Sequence, residues 1–354
     1  MKRLLSLDIL RGITVAGMIV VNNGYGESFG ALRHSAWNGI TPCDLVFPFF
    51  LFIMGVSAYL SLSKGKFEAN GATVAKILKR TVKILLVGWA IYWFHDIMKG
   101  DFFPFAHMRA LGVLHRIALC YCIVSLLAIT VKHKHFLWLI PALLIGYAAI
   151  LLLGNGYENT AESIIARFDT ACLGSAHLYT KAPIDPEGLL STISAIAHTM
   201  IGFVCGSYII RCANNGEKVQ RIFVLGFCLL TLGWLLTDLL PANKRIWSPS
   251  YTLITTGGAS MLLATLMYFI DVRGRQKHLT FFHVFGVNPL ALYVFSELLA
   301  IVGGSTGACD AVGSAICSII PEARIASAVY AVMFMLICYA VGYVLYKRKI
   351  YIKL

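Results

Sequence analysis

Charge is what this sequence has least of. Only 13% of its 354 residues are Asp, Glu, Lys or Arg, and just 17 are acidic, whereas a soluble domain carries about a quarter charged residues. That scarcity excludes an ordinary water-soluble enzyme. Long polar stretches are lacking too, so no separate soluble catalytic domain is expected and any chemistry must take place between helices. There is no CxxC pair and no HExxH, and no metal site is expected. A leader-peptide cleavage site is also missing. The Met1-Lys2-Arg3 start imitates a secretory leader, but Asp8 and Arg11 interrupt the apolar run and no small-residue motif closes it. The run is read as an uncleaved first span.

Apolar residues fill the rest, at 58% of the chain and a mean hydropathy of +0.75. Crossing a hydrocarbon core takes about 20 mostly apolar residues in a helix. By that measure the sequence predicts an all-α, polytopic membrane bundle, one domain over 1–354 with ten spanning helices. Their expected bounds are 5–23, 44–63, 80–97, 110–131, 135–153, 189–211, 219–240, 250–270, 280–302 and 324–346. Basic segments alternate with less basic loops. Lys2-Arg3, Lys64 to Lys83, the turn at 132–135, Arg211 to Arg221, Arg273 to Lys277 and Lys347 to Lys353 hold 20 of the 30 Lys and Arg. The opposite loops hold 8: Arg33, Lys99, Arg109, Arg167, Lys181, Lys244, Arg245 and Arg324. Cytoplasmic loops carry the excess of bases, which places both termini in the cytoplasm. A net charge of +13 distributed this way sets topology. It forms no continuous phosphate-tracking face, and nucleic acid is excluded as a partner. The stretch 303–321 is too polar to span and is expected as a short re-entrant or interfacial helix. Most of the ten cysteines fall within spans as small apolar fillers; Cys172 and Cys309 lie outside them, and a bridge between these two is left open.

One polar stretch interrupts the oily pattern, NNGYGESFGALRHSAWNGITPCDLVFP from Asn22 to Pro48. Polar groups at a bilayer boundary are costly unless paired or solvated, so such a cluster is a candidate site. His34 is its only histidine. An imidazole there can take a proton from an amine or hydroxyl nucleophile, or carry an acyl group covalently. Asp44, ten residues on, either orients that ring or serves as an ordinary helix cap. In the first span Asp8 and Arg11 share a helix face. They either anchor the helix end or hold a guanidinium fork towards a phosphate-bearing ligand. From Arg11 to Asn22 is roughly 16 Å of helix at ~1.5 Å per residue, so one helix reaches both ends of a long ligand. His115 and His198 read as packing histidines within spans. Glu297, inside a span, pairs or lines an aqueous cavity. In the DPEG turn Asp185 caps a helix and Glu187 is placed to read sugar hydroxyls, and Asn288-Pro289 must break or kink the ninth span.

Six blocks occur in order: SLDILRG, HSAWNGITPCDLVFPFFLFIMG, LGVLHRIALCY, DPEGLLSTISAI, NKRIWSPSYTL and FGVNPLALYVFSE. Together they resemble the heparan-α-glucosaminide N-acetyltransferase family, including its compact bacterial relatives. The likeness runs from residue 5 to the KRKIYIK tail. More distantly the start is similar to the acyltransferase-3 group, whose first span carries an Arg followed eleven residues later by a His; Asn22 occupies that place here.

The resemblance implies an integral, multi-pass enzyme, for a compact bacterial-type member in the inner (plasma) membrane. It implies that acetyl from cytosolic acetyl-CoA, the donor, passes to the amine of a glucosamine-type sugar on the periplasmic or lumenal side, without a metal. The family's active-site histidine matches His34, and an asparagine eleven residues earlier matches Asn23, with Asn22 beside it. Arg11 and Asp8 match the family's first-span pair. The coenzyme's phosphates are expected on a basic cytoplasmic rim. Lys64 to Lys83, the 132–135 turn and the Arg273 to Lys277 turn, with Arg275, are the candidates. Asn22, Asn23 or Asn38 hydrogen-bonds the developing oxyanion. Trp37 and Trp247 stack on a sugar face or belong to the interfacial belt; Glu187 and Glu297 complete the acceptor contacts. The expected partners are an amino-sugar or glycan acceptor and the lipid bilayer, with a homodimer left open. Two other readings stay open: an O-acyltransferase of cell-envelope glycans or lipids, and a secondary transporter.

Overall fold

The computed structural model describes residues 4–352; the expected basic residues Lys2, Arg3 and Lys353 lie outside that range. Every regular element among the described residues is helical. The long helices are α1 (Leu5–Asn22), α2 (Val46–Leu62), α3 (Gly71–Met98), α4 (Val113–Thr130), α5 (Phe136–Leu153), α7 (Thr192–Arg211), α8 (Asn215–Leu235), α9 (Pro249–Leu266), α11 (Pro289–Ser305) and α13 (Ala323–Lys347). Shorter are α6 (Ile164–Leu173), α10 (Thr280–Val287) and α12 (Ala308–Ile319).

Among the described residues eight helices are long and apolar enough to cross a membrane, or nine if α10 and α11 are taken as one bent span. Ten were expected, and the difference lies in α3. Its start is set by the Asn70 side chain, which accepts the Thr73 N–H, so the helix begins nine residues before the expected 80. Its apolar middle, 84–94, is flanked by Lys76, Lys79, Arg80 and Lys83 on one side and by His95 and Asp96 on the other, which leaves too short an uncharged run. The expected kink at Asn288-Pro289 is an 86° break. Pro289 has no N–H to continue α10, and the Asn288 amide turns away to bind the Ile350 carbonyl and the Ile352 N–H, both at 2.9 Å. The 303–321 stretch resolves into the end of α11 and the twelve-residue α12. Cys172 and Cys309 are both free thiols.

Close helix approaches follow from glycines. A Cβ on Gly55 of α2 would run into the Thr199 carbonyl of α7, and one on Gly202 of α7 into the Phe52 carbonyl of α2. With only hydrogen on that face the two backbones meet directly, which is how helices associate where lipid removes the hydrophobic drive. The main apolar core lies between α1, α2, α4, α7 and α9, built on Val15, Leu51, Val124, Phe203 and Tyr251.

The bundle has two distinct ends. The start of α1 meets the α10–α11 break, and Asn288 in that break holds Ile350 and Ile352, so the start of α1 and residues 350–352 lie at one end of the bundle. The end of α1, the second half of α3, the start of α4 and the middle of α11 frame a cavity at the other end.

Candidate active site

Asn23 closes α1, its amide donating to the Ile19 carbonyl at 2.8 Å. The chain then wraps through two short 3-10 turns and enters α2 at Thr41-Pro42-Cys43-Asp44. Thr41 and Asp44 form a capping box, with the Thr41 N–H on Asp44 Oδ2 at 3.1 Å; the Ser35 N–H reaches the same oxygen at 3.1 Å. The other oxygen, Oδ1, lies 2.8 Å from Nδ1 of His34. One carboxylate therefore caps the helix and holds the imidazole, so both sequence alternatives for Asp44 are realised at once. Asp44 is buried while His34 is half exposed. A proton on Nδ1, donated to Asp44, leaves the Nε2 lone pair outward and available to a substrate.

A second segment closes over this loop. The Gly39 N–H donates to the Ala242 carbonyl at 2.7 Å, and the Asn243 amide donates to Asn38 Oδ1 at 3.1 Å. The Arg245 N–H donates to Asn243 Oδ1 at 2.9 Å, keeping that turn rigid. Lys244 is thereby carried over the site, its Nζ 3.0 Å from Nδ1 and 3.3 Å from Nε2 of His34. Beneath, the Tyr251 hydroxyl of α9 donates to the Asp44 carbonyl at 2.6 Å. The Cys43 sulfur lies 3.0 Å from His34 Nδ1.

His34 stands on the wall of a cavity of about 550 Å³. Asn22, Asn23 and Glu297 line the same space, so four residues singled out in the sequence meet there although they come from α1, the loop and α11. Glu297 has no Lys or Arg ion pair among the described residues; the Asn22 amide and the Tyr293 hydroxyl face it instead. Tyr92, Arg109, His115, Tyr179 and Tyr293 complete the polar lining. Arg109 is held from behind. Its Nε lies 3.2 Å from Asp185 Oδ2 and its Nη2 2.7 Å from Glu187 Oε2, and the guanidinium sits 4.9 Å from the Tyr179 ring centre. Burial works against its charge, but Glu187 and then Asp185 push its pKa above the usual arginine value.

The remaining candidates lie elsewhere. Glu187 is buried behind Arg109. Trp37 is tied by its Nε1–H to the Tyr157 carbonyl at 2.7 Å. Trp247 is buried at 1% exposure, between Phe47, His198 and Tyr251, and does not line the cavity. Asn38 braces the loop through Asn243. Asp8 and Arg11 sit at the opposite end, where Arg11 reaches Asp8 at 3.0 Å, Ser57 of α2 at 2.8 Å and the Gly286 carbonyl at 3.2 Å. That guanidinium joins α1 to α2 and α10. Arg275 lies over Phe269 in the turn after α9, apart from the rest.

Sequence reasoning passed over Lys244, Arg109 and His115. A signal existed for two of them: Lys244 and Arg109 are bases on the loops expected to be poor in bases. Arg33 and Arg324, of the same group, pair with Glu27.

Fold and site together define a multi-pass membrane protein whose carboxylate-oriented histidine opens onto a polar cavity, an arrangement able to take a proton from a nucleophile held there. Residues 3–234 match the family model described as heparan-alpha-glucosaminide N-acetyltransferase, catalytic, and the chain belongs to that family. It is 27% identical over 356 residues to the heparan-alpha-glucosaminide N-acetyltransferase of Mus musculus, covering 84% of this chain and 54% of that protein. The Homo sapiens protein of the same name is 28% identical over 358 residues, with 84% and 53% covered. The chain thus spans about half the length of the curated relatives it matches.

Proposed function

We propose that this protein is a transmembrane N-acetyltransferase that moves acetyl from cytosolic acetyl-CoA to the amine of a glucosamine-type sugar on the outer side of a bacterial inner membrane. The observation that carries the reading is the His34–Asp44 pair, set beside Asn22 and Asn23 on one cavity wall. The outer side is the cavity end of the bundle. An amino sugar arrives as a cation, and Glu297, without a basic partner among the described residues, attracts it. The ammonium first gives up one proton to solvent. The neutral amine then attacks the thioester carbonyl, His34 Nε2 takes its second proton as the C–N bond forms, and that proton passes to the leaving thiolate as the C–S bond breaks. Asp44 stabilises the imidazolium formed in between. Asn22 and Asn23 supply amide donors for the oxyanion.

A donor site is supported at the other end of α4. There Lys66, Lys132, Lys134 and Arg211 converge on a cavity of about 610 Å³ whose inner wall includes Phe67, His133 and Phe136. No acidic residue lines it, which suits a polyanionic nucleotide. Fourteen residues of helix separate His115 from Ile129, ~21 Å at ~1.5 Å per residue.

Purified protein in detergent, given radiolabelled acetyl-CoA and glucosamine, is expected to form N-acetylglucosamine, and His34→Ala is expected not to. Acetylation of an alcohol but of no amine would favour the O-acyltransferase reading. Flux of the sugar across vesicles without acetyl-CoA consumption would favour a transporter.

A further inference from the structure

His115 is the third residue of α4 and is 1% exposed, yet neither of its ring nitrogens has a hydrogen-bond partner. Buried polar atoms are paired in the great majority of cases, so an orphaned imidazole calls for a reason. Its surroundings are built for it. The ring lies nearly parallel to Tyr92, 15° apart with centres at 5.8 Å, and 5.2 Å from Trp89. Gly88 of α3 makes room, since a Cβ there would sit 2.6 Å from Cε1 of the imidazole. The ring is thus fixed in place, and it borders the cavity that His34 opens onto.

The two histidines differ in what stands behind them. His34 has a buried carboxylate to steady a positive charge; His115 has no ion-pairing carboxylate among the described residues, and the start of a helix and Arg109 lie near it. Positive charge is disfavoured beside a helix N-terminus. A neutral imidazole offers one donor and one acceptor. A hydroxyl group offers the same, so it satisfies either tautomer, whereas an acyl carbonyl or a carboxylate satisfies only one.

We propose that His115 is a specificity-determining residue that hydrogen-bonds a ring hydroxyl of the amino-sugar acceptor, reading the sugar while His34 handles the proton. This rests on the acetyl-transfer reading above and adds a residue that the sequence pattern had assigned to packing. A site that hydrogen-bonds a substrate hydroxyl rejects the analogue lacking it, because the protein group is left unpaired.

His115→Phe keeps the aromatic stack and removes both nitrogens. It is expected to raise the KM for glucosamine by roughly 10- to 100-fold, with kcat changed less than about twofold; His115→Gln, which retains a donor and an acceptor, is expected to recover much of that loss. A panel of monodeoxy glucosamines makes the test specific. One of them is expected to bind wild type more weakly by the same factor and to be bound equally well, relative to glucosamine, by His115→Phe. If His115→Phe does not fold, the same panel on His115→Leu, which also lacks both nitrogens, serves. A fall in kcat at unchanged KM, or equal discrimination of every deoxy sugar by wild type and variant, would overturn the proposal. Glucosamine-dependent thermal stabilisation, read without any donor, separates the two ideas: its presence in wild type and loss in His115→Phe supports the contact even if no acetyl transfer is seen.

Discussion

Nζ of Lys244 lies 3.0 Å from Nδ1 of His34, 210 residues away in the chain, and 3.6 Å from Oδ1 of Asp44. Cation, imidazole and carboxylate therefore form one network instead of a simple pair. Asp44→Asn retains a side chain able to cap α2 but removes the charge behind the ring, and is expected to lower kcat roughly 100-fold. Lys244→Met is expected to cost less. Because the three groups share one network, the double variant should differ from the sum of the singles by on the order of 0.5–3 kcal/mol. Steady-state acetyl transfer measures the cycle; strict additivity would mean that Lys244 stands apart from the dyad.

Arg109 bridges two buried carboxylates. Replacing it with Met leaves Asp185 and Glu187 facing each other without a cation, a change of about 3–5 kcal/mol for a broken buried pair. Arg109→Lys is expected to rescue little, since a single ammonium cannot span both carboxylates as the planar fork does. Thermal unfolding in detergent is the measurement, and a Tm for Arg109→Lys equal to wild type would contradict the bidentate role.

Asp169 of α6 lies outside the spanning helices. Burial lifts its carboxyl from the ordinary 3.8 to about 6, while the Leu190 N–H and Arg116 pull back only in part. A raised folded-state value makes its contribution to stability complete below about pH 4 and lost as pH rises through 6. Asp169→Asn keeps an oxygen for the Leu190 N–H, which meets Asp169 Oδ1 at 3.0 Å, but does not titrate. The difference in stability should shift in favour of the variant between pH 4 and 7, by on the order of 3 kcal/mol. Unfolding at several pH values tests this; a pH-independent difference would show that Asp169 is not the titrating group.

At the α2–α7 contact any side chain on Gly55 meets the Thr199 carbonyl and the Phe203 N–H. Gly55→Leu is expected to lose about 1–3 kcal/mol or more by overpacking, seen as a lower Tm or as aggregation in size-exclusion chromatography. Gly30, which has open space around it, supplies the control substitution.

Removing charge at the basic cavity proposed for the donor separates donor binding from chemistry. Lys132→Ala, Lys134→Ala and Arg211→Ala together should raise the KM for acetyl-CoA at least tenfold, a loss that high salt diminishes. Turnover with acetyl-pantetheine, which lacks the nucleotide, should not change. Equal losses with both donors would place the nucleotide elsewhere.

The sequence by itself determined the membrane bundle, the break at Asn288-Pro289 and the polar loop that carries His34 to Asp44. Hydropathy runs, proline and short spacings are written along the chain, and the ten residues from His34 to Asp44 are close enough for a local loop to join them. Only the tertiary structure decided which distant groups share the site. Lys244, Arg109, His115 and Glu297 reach it because α3, α4, α9 and α11 pack where their small residues allow, and no local pattern encodes that choice. The same packing sealed Trp247 inside the bundle and set Arg11 between α1, α2 and α10, since a side chain's neighbours depend on which face its helix turns inward.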